Sequence, residues 1–115
     1  MATPVLDHDN LAMLKDLIGD DLKAILESFN QQTQSLVEQI ETAIANKDGD
    51  TLTHQAHTLK GSAANVGAHP LSEQAYRLET AGKQQDFSQT HQALKTLQSL
   101  ADEAIEESQR FLEQF

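Results

Sequence analysis

The 115-residue sequence contains no cysteine and no tryptophan, only two prolines, and eight basic residues against eighteen acidic ones. Without cysteine there are no disulfides, no thiolate metal sites and no cysteine nucleophile. A net charge of −10 argues against binding to nucleic acid or to an anionic membrane surface, because both need a basic face. No apolar run is long enough to span a bilayer, and the N-terminus lacks the basic and apolar regions of a signal peptide. We therefore predict a cytoplasmic protein that binds neither nucleic acid nor membrane.

The length predicts a single domain, residues 1–115. Apolar residues recur three and four positions apart almost throughout, which is the helical period, and Pro70 is placed to begin a helix. The pattern predicts a short first helix capped near Asp9 or Asn10, and a long second helix that ends at residues 48–50. A third helix ends near Gly67, a fourth is followed by a loop over 82–86, and a long final helix begins at Phe87.

Each predicted helix has one apolar face, and these faces define the candidate core. Short connections between amphipathic helices favour antiparallel neighbours that enclose a common core. We therefore predict an all-α protein, an antiparallel up-down-up-down four-helix bundle with a short N-terminal helix that covers one end. In helix order, the principal core positions are Leu11, Leu14 and Ile18; Leu22, Ile25, Leu26, Phe29, Leu36, Val37, Ile40 and Ile44; Leu52, Ala56, Leu59, Ala63 and Val66; Leu71, Ala75 and Leu78; Leu94, Leu97, Ala101, Ile105 and Leu112.

The third helix carries the chemically informative residues. At 100° per residue, His57 lies about 140° from the Leu52 direction, well off the apolar face. His57 is therefore predicted to be exposed, with Lys60 one turn further along. Gly61 lies on the outer side of this helix, where a glycine costs about 1 kcal/mol relative to alanine. Together with Ala64 and Ala68, this glycine leaves a low surface beside His57, which would let a partner's backbone approach the imidazole.

An exposed imidazole is a nucleophile that can take up a phosphoryl group. The product carries about two negative charges, which a lysine one turn away would partly neutralise. The sequence contains no glycine-rich phosphate loop, so we do not expect it to draw phosphate from a nucleotide unaided. The residues alone leave two interpretations of His57 open, an ordinary solvated surface histidine and a phosphoryl carrier that is not an independent kinase.

Residues 57–68, HTLKGSAANVGA, resemble the signature of histidine-containing phosphotransfer (HPt) domains, the His-to-Asp carriers of two-component phosphorelays. The resemblance implies that His57 is the phosphoacceptor, on the ring nitrogen remote from the backbone. It implies that Lys60 steadies the phosphoryl group and that Gly61 lets the partner's aspartate site approach. Lys83 is the nearest match to a basic residue at the end of the next helix. At Glu79 the family sometimes has a glutamine, so no phosphate-binding role is carried over to it.

The resemblance also implies the partners, which are receiver domains of response regulators and of hybrid sensor kinases. These receivers supply the aspartate and the Mg²⁺, so no cofactor is expected on this chain. We expect a free-standing monomer. One alternative is a bundle that docks a receiver without transferring phosphate. Another is a metal site built on His54-x-x-His57, which lacks the acidic partner three residues before each histidine that bundle metal sites use. We therefore assign no metal ligands and treat His54, with Ala64, as a contact at the partner-facing rim.

Overall fold

Five α-helices make up most of residues 4–115, the part of the chain that this computed structural model describes. The described residues contain no β-strand. Within residues 4–115, no helix has both the length and the apolar content needed to cross a bilayer. The helices are α1 (His8–Ile18), α2 (Asp20–Ala45), α3 (Gly49–Asn65), α4 (His69–Gln84) and α5 (Thr90–Leu112).

The four long helices form a closed bundle, in which α2 packs against α3 and α5, and α4 packs against α3 and α5. The pair α3 and α4 has the most extensive contact, and α1 packs against α2. The α1 segment also contacts the residues that follow α3 and α5. The Asp7 N–H donates to the Gly67 carbonyl (3.1 Å), and Lys15 Nζ donates to the Gln114 carbonyl (3.0 Å). The predicted four-helix bundle with a short N-terminal helix is confirmed.

The predicted apolar faces are largely buried, and every predicted core residue of α3 and α4 is. In α2, however, Ile25 is 44% exposed, and the hydroxyl-bearing Thr33 is fully buried instead. The reason is the period of the face: the buried positions Leu22, Leu26, Phe29, Thr33, Leu36 and Ile40 alternate by four and three. Ile25 lies 100° away from Leu26 and so turns outward. Ile18 is likewise exposed, and Leu14, Val37 and Leu112 are half-buried.

Two aspartates cap helices. The side chain of Asp48 accepts the Thr51 N–H at 3.1 Å and begins α3, as predicted. At α1 the prediction was wrong by two or three residues, because Asp7 caps the helix by accepting the Asn10 N–H at 3.1 Å. A side-chain oxygen at this position satisfies an N–H of the first turn that has no partner within the helix.

The predicted loop over 82–86 begins too early, since α4 continues to Gln84 and α5 starts at Thr90 rather than Phe87. Gly82 is a buried helical residue at a point where α4 lies close to α3. A Cβ atom there would lie 2.5 Å from Thr53 Oγ1 and 2.8 Å from the Gly49 carbonyl oxygen. This glycine therefore sets the spacing of two helices and does not end one.

The N-terminal segment is held against α5 by one carboxylate. Glu107 accepts the backbone N–H groups of Val5 (2.8 Å) and Leu6 (3.1 Å), and His8 Nε2 lies 2.8 Å from its Oε1. Val5 and Leu6 are both buried. These contacts connect positions about one hundred residues apart in the sequence and fix the segment that leads into α1.

We predict opposite stability effects for the same substitution at two helical glycines. Gly82→Ala should lower the free energy of unfolding by roughly 1 to 3 kcal/mol, because backbone atoms of α3 occupy the space that the methyl group needs. Gly61→Ala should raise it by about 0.5 to 1 kcal/mol, because that space is open and alanine favours helix. Urea unfolding followed by circular dichroism measures both changes. A stable Gly82→Ala would contradict the close helix approach.

Candidate phosphoryl-transfer site

His57 lies in the middle of α3 with its side chain 65% exposed. The core face of the helix, including Ala56 and Leu59, is buried on the opposite side. The ring is not free to turn, because its Nδ1 atom lies 3.2 Å from Oε2 of Glu79 on α4. The structure thus combines an accessible imidazole with a fixed orientation.

Glu79 is the centre of the site. Its side chain is only 3% exposed, and its two oxygens meet three partners. Lys60 Nζ lies 2.8 Å from Oε1, while Lys83 Nζ (3.1 Å) and His57 Nδ1 (3.2 Å) lie close to Oε2. The sequence-predicted residues His57, Lys60 and Lys83 are therefore brought together by a residue to which sequence reasoning gave no role.

The carboxyl of Glu79 is ionised at neutral pH despite its burial. Burial alone raises its pKa, but hydrogen bonds from Lys60, Lys83 and His57, together with the charge of Lys60, outweigh that effect and lower the pKa to about 2. A carboxylate accepts hydrogen bonds and donates none. Glu79 therefore places the proton of a neutral His57 ring on Nδ1, which leaves the lone pair on Nε2, at the far side of the ring from Glu79.

Lys60 is the more confined of the two lysines, with a side chain that is 30% exposed against 63% for Lys83. Its ammonium contacts Glu79 on one side and lies 5.0 Å from the ring centroid of Tyr76. Its backbone carbonyl accepts a hydrogen bond from Ser72 Oγ at 2.9 Å. Contacts from α4 thus hold both the backbone and the head group of Lys60.

Small residues leave the surface next to His57 low. Gly61 and Ala64 are exposed, and a Cβ atom added to Gly61 would have no neighbour within 4 Å. Helix packing therefore does not explain this glycine. The prediction that Ala68 belongs to this low surface was wrong. Ala68 is fully buried and precedes α4, because the chain turns at Gly67 with a φ of 76°. Ser62 faces α2, where its hydroxyl donates to Gln32 Oε1 at 3.1 Å.

His54 is exposed one turn before His57, and both line an open cleft of about 500 Å³ between α3 and α4. Glu79, Lys83 and Asp50 line the same cleft. Within residues 4–115, no three His, Cys, Asp or Glu side chains are grouped so that they could hold a metal ion. The described residues thus bring His54 to the rim of the site without giving it metal-binding partners.

Sequence reasoning missed Glu79 as the organising group and gave Tyr76 no role. A signal for Glu79 was present: on a helical wheel it lies at the edge of the apolar face formed by Leu71, Ala75 and Leu78, with Lys83 one turn further on. An acidic residue at the border of a core face, with a cation at i+4, is placed to be buried and paired. The part that α3 plays in this pairing cannot be read from the α4 sequence.

Two individual proteins are similar to this chain in sequence or in fold. A curated protein of Candida albicans (strain SC5314 / ATCC MYA-2876), the phosphorelay intermediate protein YPD1, is 29% identical over 83 residues, which is 72% of this chain. The matched region spans only 44% of that relative's length. The crystal structure of histidine-containing phosphotransfer protein B (HptB) from Pseudomonas aeruginosa PAO1 matches with a TM-score of 0.91 over 99% of both chains, at 20% identity. That likeness establishes the fold.

The family comparison covers most of the bundle. The family model described as Hpt domain matches residues 24–111, from the first turns of α2 to the end of α5. His57, Lys60, Glu79 and Lys83 all lie inside the matched region. This chain belongs to the Hpt domain family.

Proposed function

We propose that the protein is a phosphorelay intermediate, which takes a phosphoryl group onto His57 from a receiver-domain aspartate and passes it to the aspartate of a response regulator. The observation on which this proposal rests is the contact between exposed His57 and buried, ionised Glu79. It holds the ring with Nδ1 inward and protonated and with the Nε2 lone pair available to a partner. Membership of the Hpt family supports the same function.

The transfer step needs no proton to move. The Nε2 lone pair attacks the phosphorus of the aspartyl phosphate, the P–N bond forms, and the P–O bond to the receiver's carboxyl group breaks, which releases the carboxylate. The phosphorylated ring keeps its Nδ1–H and gains positive charge, which the Glu79 carboxylate stabilises. Reversal of the same step passes the group to a second receiver. Catalysis consists mainly of positioning and charge stabilisation.

Charge balance at the site supports this role. Lys60, Lys83 and Glu79 together carry one net positive charge when His57 is neutral. After transfer, the phosphoryl oxygens on His57 carry about two negative charges and the ring carries one positive charge. The Lys60 ammonium has three N–H donors, and only one is needed for the contact with Glu79. Lys60 can therefore bind the incoming phosphoryl oxygens and keep its contact with the Glu79 carboxylate. The positive charge is thus in place before the phosphate arrives.

The surface around His57 suits a protein partner better than a nucleotide. Gly61 and Ala64 present a low exposed surface, and His54 lies at the rim. We propose that receiver domains of response regulators and of hybrid sensor kinases dock here and supply both the aspartate and the Mg²⁺. The protein would then act as a cytoplasmic monomer, a phosphoryl carrier without kinase activity of its own.

His57→Gln should fold normally and accept no phosphate, because the amide cannot form the P–N bond. The measurement incubates the variant with ³²P-labelled receiver domains from the same organism and detects acid-labile label on this chain. His91→Gln, an exposed histidine on α5, is the matched control and should be labelled like the parent. Label on His57→Gln would refute the assignment. A receiver that binds the parent protein without ever labelling it would favour a docking adaptor.

Lys60→Met should slow transfer roughly tenfold, the effect of losing one hydrogen bond between charged groups. The substitution keeps the aliphatic part of the side chain and removes only the charge. Lys95→Met, on the exposed side of α5, makes the same change in net charge away from the site. Single-turnover transfer from a labelled receiver compares the three proteins. Equal rates for Lys60→Met and Lys95→Met would exclude a role for Lys60.

Acid should weaken the parent protein more than Glu79→Gln. Because the folded-state pKa of Glu79 lies at about 2, below its ordinary value of 4.5, the ionised group contributes stability above pH 4.5 that is lost as the pH falls toward 2. The difference in unfolding free energy between the two proteins should shrink by roughly 2 kcal/mol over this range. Urea unfolding at half-unit pH steps measures it. A pH-independent difference would mean that folding does not lower the pKa of Glu79.

A further inference from the structure

Tyr76 is an exposed aromatic residue beside the site, and nothing in the bundle core explains it. It lies on α4 one turn before Glu79, and 55% of its surface is accessible. Its ring covers one side of the Lys60 ammonium at 5.0 Å from the ring centroid. An ammonium within about 6 Å of an aromatic face is attracted by the negative charge of the ring's π-system.

The order of residues along α4 makes this contact specific to one lysine. Tyr76, Glu79 and Lys83 follow one another at helical spacing, and α3 runs past them with Lys60 nearer Tyr76 and His57 nearer Lys83. Lys60 therefore lies between a ring and a carboxylate, whereas the more exposed Lys83 contacts Glu79 from the same helix. The two side chains that meet Lys60 restrict the flexible lysine stem from two directions.

We propose that Tyr76 is a positioning residue for phosphoryl transfer, which holds the Lys60 ammonium in place before the phosphoryl group arrives. This inference rests on the proposed phosphocarrier function and adds a residue to it. The ring attracts the charge without supplying a hydrogen-bond acceptor as strong as a carboxylate. At least one N–H of Lys60 is thus left for the phosphoryl oxygens while its direction is fixed, and ordering the lysine beforehand lowers the entropy cost of the transfer.

The contact itself can be tested without phosphate. In the unphosphorylated protein, the ε-methylene protons of Lys60 should resonate upfield, because the Nζ atom bonded to that carbon lies over the Tyr76 ring. In ¹H–¹³C spectra, Tyr76→Leu should move these signals back to ordinary lysine positions, and Tyr76→Phe should leave them shifted. Unchanged Lys60 signals in Tyr76→Leu would overturn the proposal whatever the transfer assay shows.

The effect on transfer is tested by single-turnover labelling from a ³²P-labelled receiver. Tyr76→Leu should lower the maximal rate about two- to fivefold, the effect of one exposed cation–π contact, with little change in the receiver concentration that gives half-maximal rate. Tyr76→Phe should stay within about twofold of the parent, because it keeps the ring. In a Lys60→Met background, Tyr76→Leu should have no further effect.

The outcomes separate the possible roles of Tyr76. A Tyr76→Leu variant as fast as the parent overturns the proposal, and so does an equal loss in the Lys60→Met background, which would place Tyr76 in direct contact with the receiver. A Tyr76→Phe variant as slow as Tyr76→Leu would assign the effect to the hydroxyl and also overturn it. If the parent protein takes no label from any receiver, the phosphocarrier function fails instead, and the spectra alone decide whether Tyr76 holds Lys60.

Discussion

A single buried carboxylate organises the site. Glu79 has almost no contact with solvent, and an isolated charge in that position would be strongly unfavourable. It is tolerated because two lysines and an imidazole surround it, and those three groups are the ones that the proposed chemistry requires. Burial of the Glu79 charge thus keeps the three partner side chains in place, because the carboxylate loses part of its stabilisation if any of them moves away.

The site is carried by the two helices that pack most closely. His57 and Lys60 come from α3, and Glu79, Lys83 and Tyr76 come from α4, so the bundle holds them without help from a loop. In the proposed transfer the partner supplies the metal ion and the aspartate, so this chain of 115 residues would not need a nucleotide pocket of its own.

Much of this arrangement could be predicted from the sequence, because helical period and burial are local properties. The predicted core face of α3 was correct at every position, and the angle between that face and His57 correctly predicted an exposed imidazole. The errors arose where contacts between helices decide. Ile25 turns outward because Thr33 continues the buried period, and Gly82 lies within a helix because another helix passes close to it. Glu79 was missed for the same reason, since its partners Lys60 and His57 lie on α3.

The close approach at Gly82 has a consequence for chemistry as well as for packing. Gly82 lies one turn beyond Glu79, where α4 lies close to the first turns of α3, and it has no side chain to hold the helices apart. His57 Nδ1 and the Glu79 oxygen are 3.2 Å apart, at the outer end of the hydrogen-bond range. A small increase in helix separation would therefore leave the bundle folded but break this contact, and Glu79 would no longer hold the proton of the His57 ring on Nδ1. In the proposed mechanism the distance between two helices therefore determines which ring nitrogen reacts, and a residue with no functional group controls that distance.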